Sequence, residues 1–423
     1  MVLLGLAWGM PECGLPEVLE LEAQGLAPSL GQVGPPPPPG ADETCFGPRG
    51  AFQHSTEHFS LEWDDETLED VVVTTMAEWL EEAWEAQVDE LGWAAPTGSE
   101  DWLILARLDP DTGRSYVYWE SCGGRSLPYA TFYVGNSDMH PTVHHEFAHL
   151  SQHGSSSRWG SWWWEATATW MQVVQLPDQA DVADQVVQIG FLDNANLAMH
   201  SNDRDTWEQD AHLYGMAVLA WYLEEHIGPG TVLETWSLQG TQDMPSAIED
   251  LGLDWDEVYR DWVLAVVAND FSRGEVWGPI GGTGVLDLYA YGSMQVGSLG
   301  LGVIRFHPQA PAPSGSHLNL NVDVDKGDWL LWLVVDGEPM ELEDGEDFLL
   351  EDSQDFDSIV LVMSPLEGLQ RSFDLDWEAW SSGEATSGGY TSAFPQDEGC
   401  QGCSSGPVAG WLALLLAATL RRR

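Results

Sequence analysis

Two histidines and a glutamate stand close together in the first half of the chain, in the sequence His145-Glu146-Phe147-Ala148-His149. If this segment is helical, four residues amount to slightly more than one turn, so His145 and His149 lie on the same face. Two imidazoles arranged in this way can bind one zinc ion from the same side. Glu146 follows the first histidine directly and is placed to take a proton from a water molecule that completes the coordination. The segment therefore predicts a zinc centre that activates water.

The flanking residues predict the elements that position this motif. Residues 129–134 are aromatic and β-branched and indicate a strand, residues 135–138 indicate a turn, and a helix is expected from Pro141 to about Gln152. Strand, turn and motif-bearing helix is the order that a zinc peptidase of this kind needs, because an edge strand can hold an extended peptide beside the metal.

A second predicted helix, over residues 158–170, offers the third zinc ligand in Glu165. Fifteen residues separate His149 from Glu165, which is enough for a turn and a return along an antiparallel helix. Three tryptophans directly before Glu165 favour a buried site over a solvated helix residue. A metzincin would have a glycine and a histidine where Gln152 and Ser155 stand, so that pattern is excluded.

Here the sequence resembles the gluzincins, the thermolysin-like and aminopeptidase-like metallopeptidases, whose third ligand is a glutamate in a W-x-x-E-G-x-A-like helix. Trp162, Glu165 and Ala168 match that pattern, and Ala166 stands where glycine is common. The interval between the motif and Glu165 is shorter than in the best-known members. The resemblance implies that Glu165 completes the Zn²⁺ ligand set with the two motif histidines.

Four other histidines are expected to have structural roles and not to bind the metal. His144 is expected to point away from the metal face of its helix. His153 lies one turn beyond His149 and could compete as a ligand, although a histidine at a helix end more often contacts terminal carbonyls. His54 and His58 have metal-like spacing, but they flank a segment that alternates like a strand.

A strong helical pattern over residues 210–227 resembles the aminopeptidase helix that carries a tyrosine near the scissile carbonyl. By this resemblance Tyr214 or His212 would stabilise the developing oxyanion or donate a proton. The alternative is a core tyrosine whose hydroxyl is satisfied within the fold.

Charge and cysteine content limit the partners and the compartment. The 423 residues include 69 acidic and 14 basic ones, which gives a net charge of −55, so binding to a phosphate backbone is excluded. A solvated acidic surface is favoured over specific Ca²⁺ sites, for which residues 323–328 are the nearest match but lack the order of an EF-hand loop. Cys45 and Cys122 could pair if the protein is exported.

The order of composition along the chain predicts five segments. Residues 1–40 are a short apolar leader and a proline-rich spacer, and residues 41–273 are the catalytic domain, beginning with a long helix over 67–91. Residues 274–380 read as short strands of a β-sandwich that packs on the catalytic domain or binds a partner. Residues 381–398 are a linker, and residues 399–423 are a tail.

The tail carries a cysteine motif, a short apolar segment over residues 408–420 and three terminal arginines. Thirteen residues are too few to span a bilayer, which needs about 20. In this order the features resemble the MYXO-CTERM sorting tail of exported myxobacterial proteins, which implies export, transient membrane contact and surface anchoring.

These observations predict an α+β fold with a zincin-like catalytic domain, built from a small antiparallel sheet and helices, and a following all-β sandwich. The function expected is an exported zinc metallopeptidase, similar to secreted metalloproteases of myxobacteria, that hydrolyses a peptide or protein substrate. Glu146 would take a proton from water and return it to the leaving amine. The alternatives are a non-catalytic surface binding protein with the same fold and a zinc hydrolase acting on a non-peptide amide.

Overall fold

A computed structural model describes residues 45–135, 139–201, 206–280, 283–286, 290–308, 317–324, 327–366 and 372–382. It has a mixed architecture compatible with the α+β class, in which an N-terminal sheet is followed by helices and then by strands. The expected leader, spacer and sorting tail, and most of the linker, lie outside the described residues. So does part of the acidic segment 323–328. Among the described helices, none is both long and apolar enough to cross a membrane.

The first five strands form one sheet and are β1 (Phe52–Ser55), β2 (Phe59–Trp63), β3 (Ile104–Asp109), β4 (Tyr116–Cys122) and β5 (Arg125–Tyr133). Their order is β1-β2-β3-β5-β4, so β5, the strand directly before the histidine motif, is interior and β4 is the edge. The expectation of an antiparallel sheet holds for the pairs β1–β2 and β4–β5 and is wrong for the middle of the sheet. β2 runs parallel to β3, and β3 runs parallel to β5. The chain passes from β2 to β3 through a helical crossover, and such a connection makes neighbouring strands parallel.

Helix α1 (Asp70–Trp84) makes this crossover, and its apolar face packs on the sheet. Met76 and Leu80 share a buried cluster with Phe59 and Phe132 of the strands. The predicted helix over 67–91 is confirmed in its central part. It begins at Asp70, and its last six residues form a π-helical turn.

Helices α2 (Met139–His153) and α3 (Ser161–Gln175) follow and carry the predicted site. Val143 and Phe147 of α2 face the sheet in the same cluster as α1, while Ala148 faces the tryptophan-rich α3. The connection between α2 and α3 contains strand β6 (Ser157–Arg158), which pairs in parallel with β7 (Gly240–Thr241). The return of an antiparallel helix after a short turn, predicted from the fifteen-residue interval, agrees with this arrangement.

The remaining helices are α4 (Asp181–Val187), α5 (Trp207–Gly215), α6 (Ala217–Tyr222), α7 (Thr231–Ser237), α8 (Met244–Asp250), α9 (Trp255–Ala268) and α10 (Gly274–Trp277). The helix predicted over 210–227 is confirmed in its extent and in its end at Ile227, but it is not continuous. A capping box between Thr206 and Gln209 begins it earlier, it is interrupted at Met216, and its last five residues form a π-helical turn. A Cβ on Gly215 would lie 2.6 Å from Phe191 N, so close packing requires glycine there, and glycine weakens the helix.

The C-terminal strands form the predicted sandwich and are β8 (Thr283–Leu286), β9 (Ala290–Gly297), β10 (Gly302–Pro308), β11 (His317–Val324), β12 (Trp329–Val335), β13 (Glu338–Glu341), β14 (Asp347–Leu350), β15 (Ile359–Pro365) and β16 (Ser372–Ser382). One sheet has the order β13-β12-β15-β10-β8 and the other β14-β11-β16-β9. Leu320, Leu333 and Leu361 share the buried cluster between them.

The sandwich packs on the helices. Trp332 and Val362 belong to the same buried cluster as Trp262 of α9. The Tyr259 hydroxyl donates to the Leu299 carbonyl over 3.0 Å and lies 2.6 Å from the Ser364 hydroxyl. These contacts join the strands to the helices, and both the role of the sandwich and its boundary at residue 274 stay predictions.

A candidate metal centre between two helices

The three predicted ligands meet between α2 and α3. Glu165 Oε2 lies 3.1 Å from His145 Nε2 and 3.4 Å from His149 Nε2. One ligand atom from each residue lies within 4.8 Å of the others, and all three side chains are buried. His145 and His149 face the same side of α2, as their spacing predicts. Ala148, Ala166 and Ala168 are fully buried and small, which lets the two helices approach closely.

Two glutamines fix the tautomers of the histidines. Gln172 Oε1 lies 3.1 Å from His145 Nδ1, and Gln152 Oε1 lies 2.7 Å from His149 Nδ1. An amide oxygen only accepts hydrogen bonds, so both imidazoles carry their proton on Nδ1. The Nε2 lone pairs of both rings therefore point at Glu165.

The close approach of these two nitrogen atoms and the Glu165 carboxylate suits the site to a cation. Two nitrogen lone pairs and a carboxylate oxygen repel one another unless a cation lies among them. Burial alone would raise the pKa of Glu165. When an imidazole of His149 or His145 carries a proton on Nε2 in place of a metal ion, its charge and hydrogen bond outweigh burial and lower that pKa to about 2. Glu165 Oε1 has no hydrogen-bond partner among the described residues. Two imidazoles and a carboxylate fit a catalytic Zn²⁺ site, in which water takes the fourth position.

Tryptophans surround the three candidate ligands and contact the side chains that support them. The Gln152 amide nitrogen donates to Trp164 O over 3.1 Å and to Thr167 Oγ1 over 2.8 Å. The Trp164 ring lies 6.1 Å from the His149 ring and packs edge-on against Trp236. Such partners orient metal-binding histidines and raise their basicity. The buried site predicted from the tryptophan run is confirmed.

Glu146 and Tyr214 lie on the accessible side of the site. Both line a small cavity of about 40 Å³ together with His145, Thr142, Thr169, Gln172 and three residues of α4. The Tyr214 ring centroid is 5.9 Å from that of His145. The structure therefore brings five of the six predicted site residues together around one centre: His145, Glu146, His149, Glu165 and Tyr214.

The sixth, His212, lies apart from this centre. Its ring is fully buried, with Nδ1 2.9 Å from Gly190 O and Nε2 3.0 Å from Ala198 O. Burial lowers the pKa of His212. On a helix, residues 212 and 214 point in different directions, so only one of them faces the cavity. The expected role of His212 at the oxyanion is not supported by this position.

The other histidines also find partners. His153 Nδ1 lies 3.3 Å from Thr97 Oγ1 rather than near the ligand group, so it does not compete for the metal. His58 pairs with Glu81 at 2.6 Å. Sequence reasoning missed the supporting glutamines. Gln152 lies three residues after His149 and Gln172 seven residues after Glu165, and both spacings return to the same helix face.

No protein-family model matches the chain, and a search of the curated proteins finds no match.

Proposed function

We propose that this chain is a zinc-dependent hydrolase of peptide bonds, of the gluzincin type. The observation that carries the proposal is the convergence of His145 Nε2, His149 Nε2 and Glu165 Oε2 beside a cavity that Glu146 also lines. A carboxylate next to a three-ligand centre with an open position is the arrangement by which zinc hydrolases use water.

Bound Zn²⁺ supplies Lewis acidity, which lowers the pKa of water and polarises a substrate carbonyl. Glu146 takes the proton from the attacking water and returns it to the leaving amine. The Tyr214 hydroxyl donates a hydrogen bond to the oxygen on which negative charge develops. Gln152 and Gln172 keep both imidazoles in the tautomer that offers Nε2 to the metal.

The small volume of the cavity limits what can lie beside Glu146 in this structure. About 40 Å³ has room for roughly three water molecules and not for a peptide. Val182, Ala183 and Val186 of α4 form its opposite wall. The cavity is also partly open to solvent, so a substrate group can approach Glu146 from that side. The small volume of the cavity favours a second candidate, in which the metal is structural and the protein binds a partner without catalysis.

Export is part of the proposal. The structure joins Cys45 to Cys122 in a disulfide with a Cα–Cα separation of 6.1 Å. Disulfides persist in oxidising environments and are rare in the cytosol, so this bond supports an extracellular or cell-surface location. A strongly acidic surface, at a net charge of −55, also stays hydrated in saline surroundings.

The experiment compares the parent protein with Glu146→Gln and with the exposed-site control Glu85→Gln. Each protein is purified, its zinc content measured, and its cleavage of a dye-quenched casein followed. We expect casein cleavage in the parent and control, and its loss in Glu146→Gln with the zinc content unchanged. Zinc binding without cleavage of casein or of a peptide library would support the structural candidate. A folded parent that binds no zinc would overturn both.

A further inference from the structure

A second group of metal-binding side chains lies between α1 and α2, separate from the candidate centre. Glu82 comes from α1, and His140 and His144 lie four residues apart near the start of α2. One ligand atom from each of the three lies within 4.8 Å of the others. His144 and His145 are neighbours on a helix and so are rotated by about 100° from each other. The two groups therefore occupy different faces of the same helix.

His144 provides the strongest observation. Its side chain is 1% exposed, and its Nε2 has no hydrogen-bond partner among the described residues. Its Nδ1 is in close contact with Gln175 Oε1, which also accepts from Gln87 Nε2 over 3.2 Å. Nδ1 therefore carries the proton and Nε2 a lone pair. A buried lone pair without a partner is costly, and coordination to a cation would satisfy it.

His140 and Glu82 complete the group on its solvent side. His140 Nε2 lies 3.1 Å from Glu82 Oε2, and its ring stacks on Trp79 with centroids 4.7 Å apart. The Gln179 amide lies 3.1 Å from His140 Nδ1, and its oxygen would accept from Nδ1–H if the amide is turned over. The side chains of His140 and Glu82 are 15% and 50% exposed, so an ion can enter from solvent.

We propose that Glu82, His140 and His144 form a second Zn²⁺ site, with water in the remaining position. Two imidazoles and one carboxylate suit a borderline divalent ion such as Zn²⁺, whereas Mg²⁺ and Ca²⁺ prefer oxygen ligands alone. Gln175 holds His144 in the tautomer that binds metal, as Gln152 does for His149 at the first centre. The ion would join α1 to the first two turns of α2.

The test counts zinc ions on the full chain after removal of metal, by titration with Zn²⁺ against a chromogenic chelator. Excess Mg²⁺ occupies weak acidic sites during the titration. We expect two ions in the parent and one in Glu82→Gln, which keeps the size of the side chain. We expect one ion in His149→Ala and none in the double variant. The control Glu78→Gln, one turn earlier on α1, keeps two.

Gln175→Ala gives an independent reading, because it leaves all ligands in place. We expect this substitution to weaken the binding of the second ion by about 10- to 100-fold and to leave the affinity for the first ion unchanged. Circular dichroism shows that each variant is folded. The proposal is overturned if Glu82→Gln and His140→Ala bind as many ions as the parent, with the same affinity. Failure of the first centre alone would appear as a single ion that is lost in Glu82→Gln and retained in His149→Ala.

Discussion

His149 donates from Nδ1 to the amide oxygen of Gln152 over 2.7 Å, and that amide is itself fixed at its nitrogen by two acceptors on α3. The two residues lie one turn apart on α2, so the helix that supplies the ligand also supplies its support. Through Trp164 O and Thr167 Oγ1 this support extends to the helix that carries Glu165. The geometry of the three ligands is thus a property of the α2–α3 pair.

This relationship predicts unequal effects of the two supporting glutamines. We expect Gln152→Ala to lower zinc affinity at the first centre by about 10- to 100-fold, because His149 loses its orienting acceptor in a fully buried setting. Gln172→Ala should lower zinc affinity by a smaller factor, because Gln172 is half-buried and water can replace its amide oxygen. Chelator competition measures both, with the exposed Gln185→Ala as control. Equal affinities in all three variants and the parent would contradict the tautomer argument.

Tyr214→Phe tests the proposed oxyanion contact. If the hydroxyl donates a hydrogen bond only as negative charge develops, kcat should fall by about 10²- to 10³-fold with little change in KM. Zinc content should stay the same, because Tyr214 is not a ligand. Unchanged kcat, with the variant as stable as the parent, would assign Tyr214 to the core alone.

Arg273 and Asp184 hold α4 against the start of α10. Arg273 Nε lies 2.8 Å from Asp184 Oδ1, and Trp277 Nε1 donates to the same oxygen over 2.8 Å. Because Asp184 is buried, Arg273→Met leaves a carboxylate without its cation, and we expect a loss of about 3–5 kcal/mol in the free energy of unfolding. Urea titration measures it.

The control for Arg273 is Arg107→Met, which removes an exposed ion pair with Asp64. An exposed pair contributes about 1 kcal/mol or less, so this variant should unfold close to the parent. Similar losses in the two variants would show that the burial of Asp184 is not the cause.

His153 predicts a dependence of stability on pH. Burial lowers the pKa of His153 to about 4, below its ordinary value of 6.5. Between these two values the unfolded chain takes up a proton that the folded chain does not, so folding stability falls as the pH drops from 6.5 to 4. The contribution reaches about 3 kcal/mol at the acid end.

The measurement is urea unfolding at pH 7 and pH 4.5 on metal-free protein. In His153→Gln the loss between the two pH values should be smaller than in the parent, while the exposed His54→Gln should behave as the parent does. An identical loss in His153→Gln would mean that His153 is protonated in the folded state.

The spacing of His145 and His149 predicts that the two lie on one helix face, and the resemblance to the gluzincins adds Glu165. The short interval between the two adjacent helices permits the packing that brings the three together. The resemblance to the aminopeptidase helix predicts that Tyr214 or His212 lies beside this group. Tyr214 lies there and His212 does not. Which side of that helix faces the cavity depends on packing against residues 190 and 198, far away along the chain.

Two features could not be predicted from periodicity. The parallel pairing of β2 with β3 depends on the crossover through α1, and strand patterns look alike in either direction. The group of Glu82, His140 and His144 joins residues more than fifty positions apart, and an exposed glutamate on an acidic helix gives no signal of its own. The sequence alone favours a structural place for His144, because it does not show that Nε2 of this ring is buried without a hydrogen-bond partner among the described residues.

The bond between Cys45 and Cys122 closes a covalent ring over a sequence separation of 77, which contains β1, β2, α1, β3 and β4. In the chain-entropy account, closing a loop of this length lowers the conformational entropy of the unfolded state. This raises the free energy of unfolding by about 4.5 kcal/mol. That amount is a large part of the stability of an ordinary domain. The sheet beneath α2 is thus stabilised partly by this covalent ring, so its stability depends on whether the surroundings are oxidising or reducing.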